Sequence, residues 1–124
     1  MTRPTDNLEA AIVAAGANVA PRITPAGIKA NIASEHFFTA ADGVASPNAV
    51  NPRAGYDTQP LMLLTFCVLV LKNGFTVTGE SACASPENFN ADIGRRIARE
   101  NAVAKIWPLM GYALRNQLSE VRHV

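Results

Sequence analysis

The sequence predicts an α+β fold, with short helices at the N-terminus, a central antiparallel β-hairpin and long, kinked helices at the C-terminus. Three observations carry this reading. Residues 61–81 hold two β-favouring runs joined by a turn at Asn73-Gly74. Residues 85–124 place apolar side chains at spacings of three and four around Pro108. Residues 1–38 contain two cap-like helix starts, Asp6 and Thr24-Pro25. At 124 residues the chain has the length of one domain, 1–124.

Taken in order, Asp6 can cap a helix over 7–15 that Gly16 ends, with Leu8, Ile12 and Ala15 on one face. Thr24 can cap a second helix, whose first position suits Pro25 because an N–H there has no helical partner. Ile28 and Ile32 follow at helical spacing, and the helix should end near Ser34, with Phe37 and Phe38 anchoring the next segment. Residues 39–60, with Gly43, Pro47, Pro52, Gly55 and Pro60, read as a long loop. Residues 61–71 form the first strand and 75–81 the second, and a two-residue Asn-Gly loop would pair Leu71 with Thr76. The second strand alternates, with Thr76, Thr78 and Glu80 opposite Val77 and Gly79. The first has no polar face, so helices should cover one side, and the other side, or the strand edge, should meet a second copy of the chain. Asn90 can cap the long helix, with Asp92 in its first turn. Ile93, Ile97 and Ala104 line one side, and Val103, Trp107, Met110, Leu114, Leu118 and Val121 continue an apolar stripe. Pro108 must kink this helix or begin another.

Composition bounds the chemistry. The net charge of +1 gives no field for a polyanion, so a nucleic-acid partner is not expected. The charge is uneven: from Ala91 onward six bases face three acids, against five and seven before it. Such a surface is either a solvated helix or a site for a small anionic ligand. Cys67 and Cys83 make no disulfide framework, and each sits among apolar or small residues. The longest apolar stretch, 61–71, is too short for a membrane span, and no secretory signal opens the sequence. The expectation is a cytoplasmic protein without a membrane partner.

A catalytic set is not apparent. His36 neighbours two phenylalanines and reads as a packed residue, while His123 is penultimate. Neither the histidines nor the cysteines have metal-binding spacing, and the acids are scattered. The expectation is no enzyme, no metal and no cofactor. A binding constellation is better supported. Arg95 and Arg99 share a helix face and lack evident partners, whereas Arg96 has Asp92 and Glu100 four residues away on either side. Guanidinium groups grip phosphate bidentately. Phe89 could stack a base or staple the helix to the core; Asn88 offers an amide. Asn101 either makes an internal hydrogen bond or reads a ligand. The candidate ligand-binding residues are Asn88, Phe89, Arg95, Arg99, Asn101 and Lys105, with Arg115 supplied by a partner subunit.

A resemblance adds to this. It is carried by the run from Thr65 through Lys72-Asn73-Gly74-Phe75 and Glu80-Ser81-Ala82-Cys83 to Ser85-Pro86-Glu87-Asn88-Phe89. Asp92-Ile93-Gly94, Ala98 to Asn101 and Lys105-Ile106-Trp107-Pro108 to Tyr112 follow, and Thr24-Pro25 and Phe37-Phe38-Thr39-Ala40 match loosely upstream. This pattern resembles the small proteins of tailed phages and prophages grouped as a gene-product family of unassigned function. The same layout resembles the first family of phage anti-Thoeris proteins. That second resemblance implies a homo-oligomer, built from dimers and as large as a hexamer. It also implies sequestration of cyclic ADP-ribose-type signals, or cyclic oligonucleotides, without cleavage. The competing reading is an accessory factor that docks on a host defence protein.

Overall fold

The run that lacks a polar face becomes the middle strand of a three-stranded sheet. The computed structural model describes residues 4–122. In order these form α1 (Pro4–Ala14), α2 (Pro25–Ala30), β1 (Ile32–Thr39), α3 (Ala40–Val44), α4 (Gln59–Met62), β2 (Leu64–Leu71), β3 (Thr76–Ala82), a 3₁₀ turn (Pro86–Asn88) and α5 (Ala91–Arg122). They gather into two compact units, one of Ile32–Lys105 and the other of the residues up to Asn31 with those from Ile106 onward. The fold is α+β.

In the first unit the sheet order is β1-β2-β3, antiparallel throughout. The expected hairpin therefore gains a third strand, β1, where a helix tail to Ser34 was expected. α2 stops at Ala30 because Ile32, Phe37 and Thr39 are better used pairing with β2 than extending a short helix. β2 now has a neighbour on each edge, which a strand without a polar face needs. Thr65, Cys67, Leu69 and Leu71 are buried on one face; Leu64, Phe66, Val68 and Val70 are half-buried on the other. On that second side Phe38 and Phe66 meet at a ring-centroid distance of 5.7 Å. The stretch 39–60 is loop only in its middle, since α3 and α4 occupy its ends and lie against one another.

The β2–β3 turn differs from the two-residue form. Gly74 N–H donates to the Leu71 carbonyl at 2.9 Å and Leu71 N–H to that of Phe75 at 2.8 Å, so three residues make the loop. Val70, not Leu71, faces Thr76. Asn73 keeps a negative φ and spends its side chain on Phe75 N–H at 2.9 Å, leaving Gly74, at φ +88°, as the single left-handed residue. That is the three-residue solution, a turn followed by a glycine bulge.

The start of α5 covers the buried sheet face through small side chains. Gly94, Ala98 and Ala102 recur every fourth residue, and all three are buried. Backbone meets backbone there: a Cβ on Gly79 of β3 would stand 2.1 Å from the Ala98 oxygen. The expected stripe of Ile93 and Ile97 is turned out instead, 57% and 42% exposed, because an isoleucine cannot enter so narrow a gap. α5 is one unbroken element with Pro108 inside it, not two helices.

The other unit holds α1, α2 and the later part of α5. Gly16, at φ +70°, ends α1, and Ala17 N–H closes back on the Ile12 carbonyl at 3.0 Å. α1 begins at Pro4, before the expected Asp6 cap. Arg22 grips Glu9 with both terminal nitrogens, at 3.1 and 2.6 Å. Thr24 caps α2, its Oγ1 accepting from Gly27 N–H at 3.0 Å, and Ile28 is buried. Of the apolar stripe, Trp107, Met110, Leu114 and Leu118 are half-buried and Val121 is exposed. No helix among the described residues is long and apolar enough to cross a membrane. His123 lies outside the described residues.

Candidate functional site

Two capped helix starts contribute to one pocket. Thr39 closes β1 and caps α3: its Oγ1 accepts from Asp42 N–H at 3.2 Å, while its own N–H donates to Asp42 Oδ2 at 2.9 Å. This reciprocal box satisfies two amides that a helix start leaves unpaired. Asn90 caps α5 in the same way, its Oδ1 accepting from Ile93 N–H at 3.0 Å. Between these starts lies a half-open pocket of about 100 Å³. Phe89 and Arg95 line it from the start of α5, Phe37, Thr39 and Asp42 from β1 and α3, and Thr65 from β2.

Thr65 reaches the pocket because Gly94 opposite it has no side chain. A Cβ at Gly94 would stand 3.1 Å from Thr65 Oγ1 and 3.8 Å from Phe89 Cε2. Thr65 is 3% exposed, the one buried polar residue among those described.

The structure brings together two of the seven candidate ligand-binding residues, Phe89 and Arg95. The other five are placed elsewhere. Asn88 ends the 3₁₀ turn, exposed beside Phe89. Arg99 lacks no partner: its Nε donates to Glu35 Oε2 on β1 at 2.9 Å, tying α5 to an edge strand. Arg95 is not unpaired either, since it bonds Asp92 one helical turn back. Sequence spacing gave Asp92 to Arg96 instead, but Arg96 turns to Glu100 at 3.5 Å. The difference of a single residue on one helix is a matter of rotamer, which spacing does not fix. Asn101 donates its side-chain amide to the Glu80 carbonyl at 2.8 Å, so it braces the edge strand β3. Lys105 is exposed on α5, and Arg115 is exposed on the part of α5 that belongs to the other unit.

Thr39, Asp42 and Thr65 were missed by sequence reasoning. The first two carry a signal, threonine followed three residues later by an acid, inside a stretch that reads as loop. Thr65 is the single polar residue in an apolar run, a position that costs free energy unless something uses the hydroxyl. Of the other chemically capable groups, His36 is exposed and its Nε2 meets Ser34 Oγ at 3.1 Å, rather than being packed between rings. Burial pushes the Cys67 thiol up, and the nearby Glu35 carboxylate adds to it, so Cys67 stays protonated and behaves as an apolar filler. Cys83 donates its thiol to the Ser85 carbonyl at 3.1 Å.

The residues that build this site lie within a stretch recognised by a family model. The model is that of the phage protein (N4 Gp49/phage Sf6 gene 66) family, and it matches residues 23–118. The chain belongs to this family. Its matched region takes in the sheet, both capped helix starts and most of α5, and every residue named as lining the pocket lies within it. No curated protein and no solved structure matches the chain.

Proposed function

We propose that this member of the phage Gp49/gene 66 family is an anti-defence protein that binds and sequesters a cyclic nucleotide immune signal without cleaving it. Its ligand is of the cyclic ADP-ribose type or a cyclic oligonucleotide, and it acts in the host cytoplasm as a homo-oligomer built from dimers, as large as a hexamer. One observation carries the reading: a pocket where an aromatic ring (Phe89), a guanidinium (Arg95) and a threonine hydroxyl (Thr65) converge. These are the parts that holding a nucleotide requires, with no turnover machinery. The half-buried apolar side of β2 favours an oligomer, since a second copy would complete its burial.

The seven residues separate into roles under this reading. Phe89 and Arg95 touch the ligand; Arg99 and Asn101 hold β1 and β3 against α5; Asn88, Lys105 and Arg115 reach ligand only from a neighbouring part of the assembly. Calorimetry with cyclic ADP-ribose tests it. Phe89→Ala is expected to abolish the binding heat, and an unchanged affinity sinks the site.

A second reading has its own observation, the outward-facing Ile93 and Ile97 on the first turns of α5. They would suit a protein that docks on a host defence enzyme. Loss of anti-defence activity in Ile93→Asp with nucleotide binding intact favours that reading; loss of both favours an oligomer contact.

A further inference from the structure

β3 leaves one edge of the sheet open. The Leu71 N–H donates to the Phe75 carbonyl at 2.8 Å and the Cys83 N–H to that of Leu63 at 3.0 Å, so the odd-numbered residues of this strand turn their backbone groups to β2. Thr76, Thr78, Glu80 and Ala82 point theirs the other way. Asn101 bonds the Glu80 carbonyl from that far side, and a carbonyl has a second lone pair to spare. No other backbone N–H or carbonyl among the described residues bonds to this row.

Natural sheets blunt such an edge with lysine, proline, a bulge or a cover, because a bare row of amides and carbonyls is a template for another strand. β1, at the opposite edge, is blunted: its register slips between Ile32 and Ser34, and its last amide, on Thr39, is taken by Asp42. β3 has none of these devices from Thr76 to Gly79, and its register with β2 runs unbroken.

An apolar ridge runs beside this edge. Ile93, Ile97 and Asn101 follow one another at four-residue spacing on α5, and Asn101 reaches the outer side of β3. The two isoleucines on that ridge are 57% and 42% exposed. Edge and ridge fit the same partner, because each is complementary to itself. A two-fold axis at Thr78 pairs that residue with its own copy through both backbone groups, and pairs Thr76 with the partner subunit's Glu80. Threonine then faces threonine and a carboxylate faces a hydroxyl, with no like charges opposed. The same axis sets two copies of α5 side by side and antiparallel, so isoleucine meets isoleucine. Arg96 and Glu100, exposed on the flank of the ridge and 3.5 Å from each other, meet the same pair reversed, positive against negative.

We infer that β3 joins the β3 of a second copy, antiparallel about Thr78, so that two three-stranded sheets become one, backed by the paired starts of α5. This deepens the homo-oligomer reading by naming its dimer seam, and it rests on that reading for the presence of an oligomer. Ile93 and Ile97 are then a subunit contact and not a dock for a host protein.

The test places a charge where residue 78 meets itself. Thr78 is exposed, so Thr78→Lys and Thr78→Glu leave the packing within each copy intact. Size-exclusion light scattering of the intact protein should show each variant dissociating about ten-fold more readily than the parent, and an equimolar mixture of the two recovering the parent mass. Ile97→Asp should weaken the same seam about ten-fold from the helix side. Hydrogen exchange gives a second readout. The Thr76 and Thr78 amides should be protected in the parent and exchange about ten-fold faster in Thr78→Lys. An oligomer of unchanged mass in Thr78→Lys, a mixture no heavier than its parts, or an unprotected Thr78 amide in the parent overturns the seam. A parent protein that stays monomeric at millimolar concentration overturns the seam and the oligomer reading together. An intact seam in a protein that retains no cyclic ADP-ribose overturns the sequestration reading alone.

Discussion

Gly79→Ala should be among the most damaging single substitutions in the sheet. The added Cβ would stand 2.1 Å from the Ala98 carbonyl oxygen, 2.3 Å from the Ala102 nitrogen and 2.9 Å from the Ala102 Cα. Ordinary contact begins at 3.4 Å, and all three obstacles are backbone, so no side chain can turn aside. β3 and α5 must part by about 1 Å, and a gap of that size forfeits roughly a quarter to a half of each dispersion contact across it. Cys67, Leu69, Ala98 and Ala102, each fully buried, form the core that would loosen. Overpacking costs typically 1–3 kcal/mol, and the rigidity of the obstacle puts this case at about 3 kcal/mol, roughly 10 °C in melting temperature. Urea unfolding measures it against Gly111→Ala, a helix-interior glycine with nothing within 4 Å of the new Cβ. That control is expected to gain about 0.5–1 kcal/mol. Equal stability for the two variants would refute the close approach of β3 and α5.

Other outcomes follow from the same geometry. Gly74→Ala should cost about 1 kcal/mol although nothing would touch its Cβ, because the turn holds φ at +88°; chemical denaturation reads it. The Arg99–Glu35 pair is about two-fifths exposed on each side, so a double-mutant cycle should give a coupling below about 1 kcal/mol that fades with salt. Arg22 holds the Glu9 carboxyl below the usual carboxylate range, its hydrogen bonds outweighing the desolvation that opposes them. A depressed folded-state value means stability present above the unfolded carboxylate range and lost as pH falls through the lowered one. Melting curves from neutral to acid pH should show a smaller loss in Glu9→Gln than in the parent protein.

Much of the fold was legible because local chemistry and tertiary need agreed. Thr24-Pro25, Gly16 and Asn90 end or begin helices where their own side chains and φ preferences say they should. β3 alternates in burial as its residues alternate in polarity. β1 was hidden because its pairing energy comes from β2, some thirty positions away, and no window of local sequence contains it. The inward face of α5 was misread for a related reason. Hydrophobic periodicity weights large side chains, whereas the contact with the sheet selects small ones, so Gly94, Ala98 and Ala102 went in and Ile93 and Ile97 stayed out. At the site, Phe89 and Arg95 were visible as aromatic and cation at a helix start. Thr39, Asp42 and Thr65 were not, because three separate strands and helices must meet before their functions converge.

Whether this phage protein holds a nucleotide and returns it unaltered, as proposed, can be measured directly. Purified protein would be mixed with a cyclic ADP-ribose-type signal and passed over a size-cutoff filter. Both filtrate and heat-released ligand would then be weighed by mass spectrometry. Signal should disappear from the filtrate in proportion to protein added and be recovered at its original mass on heating. Signal left in the filtrate, or recovered as a hydrolysed or rearranged product, would contradict it.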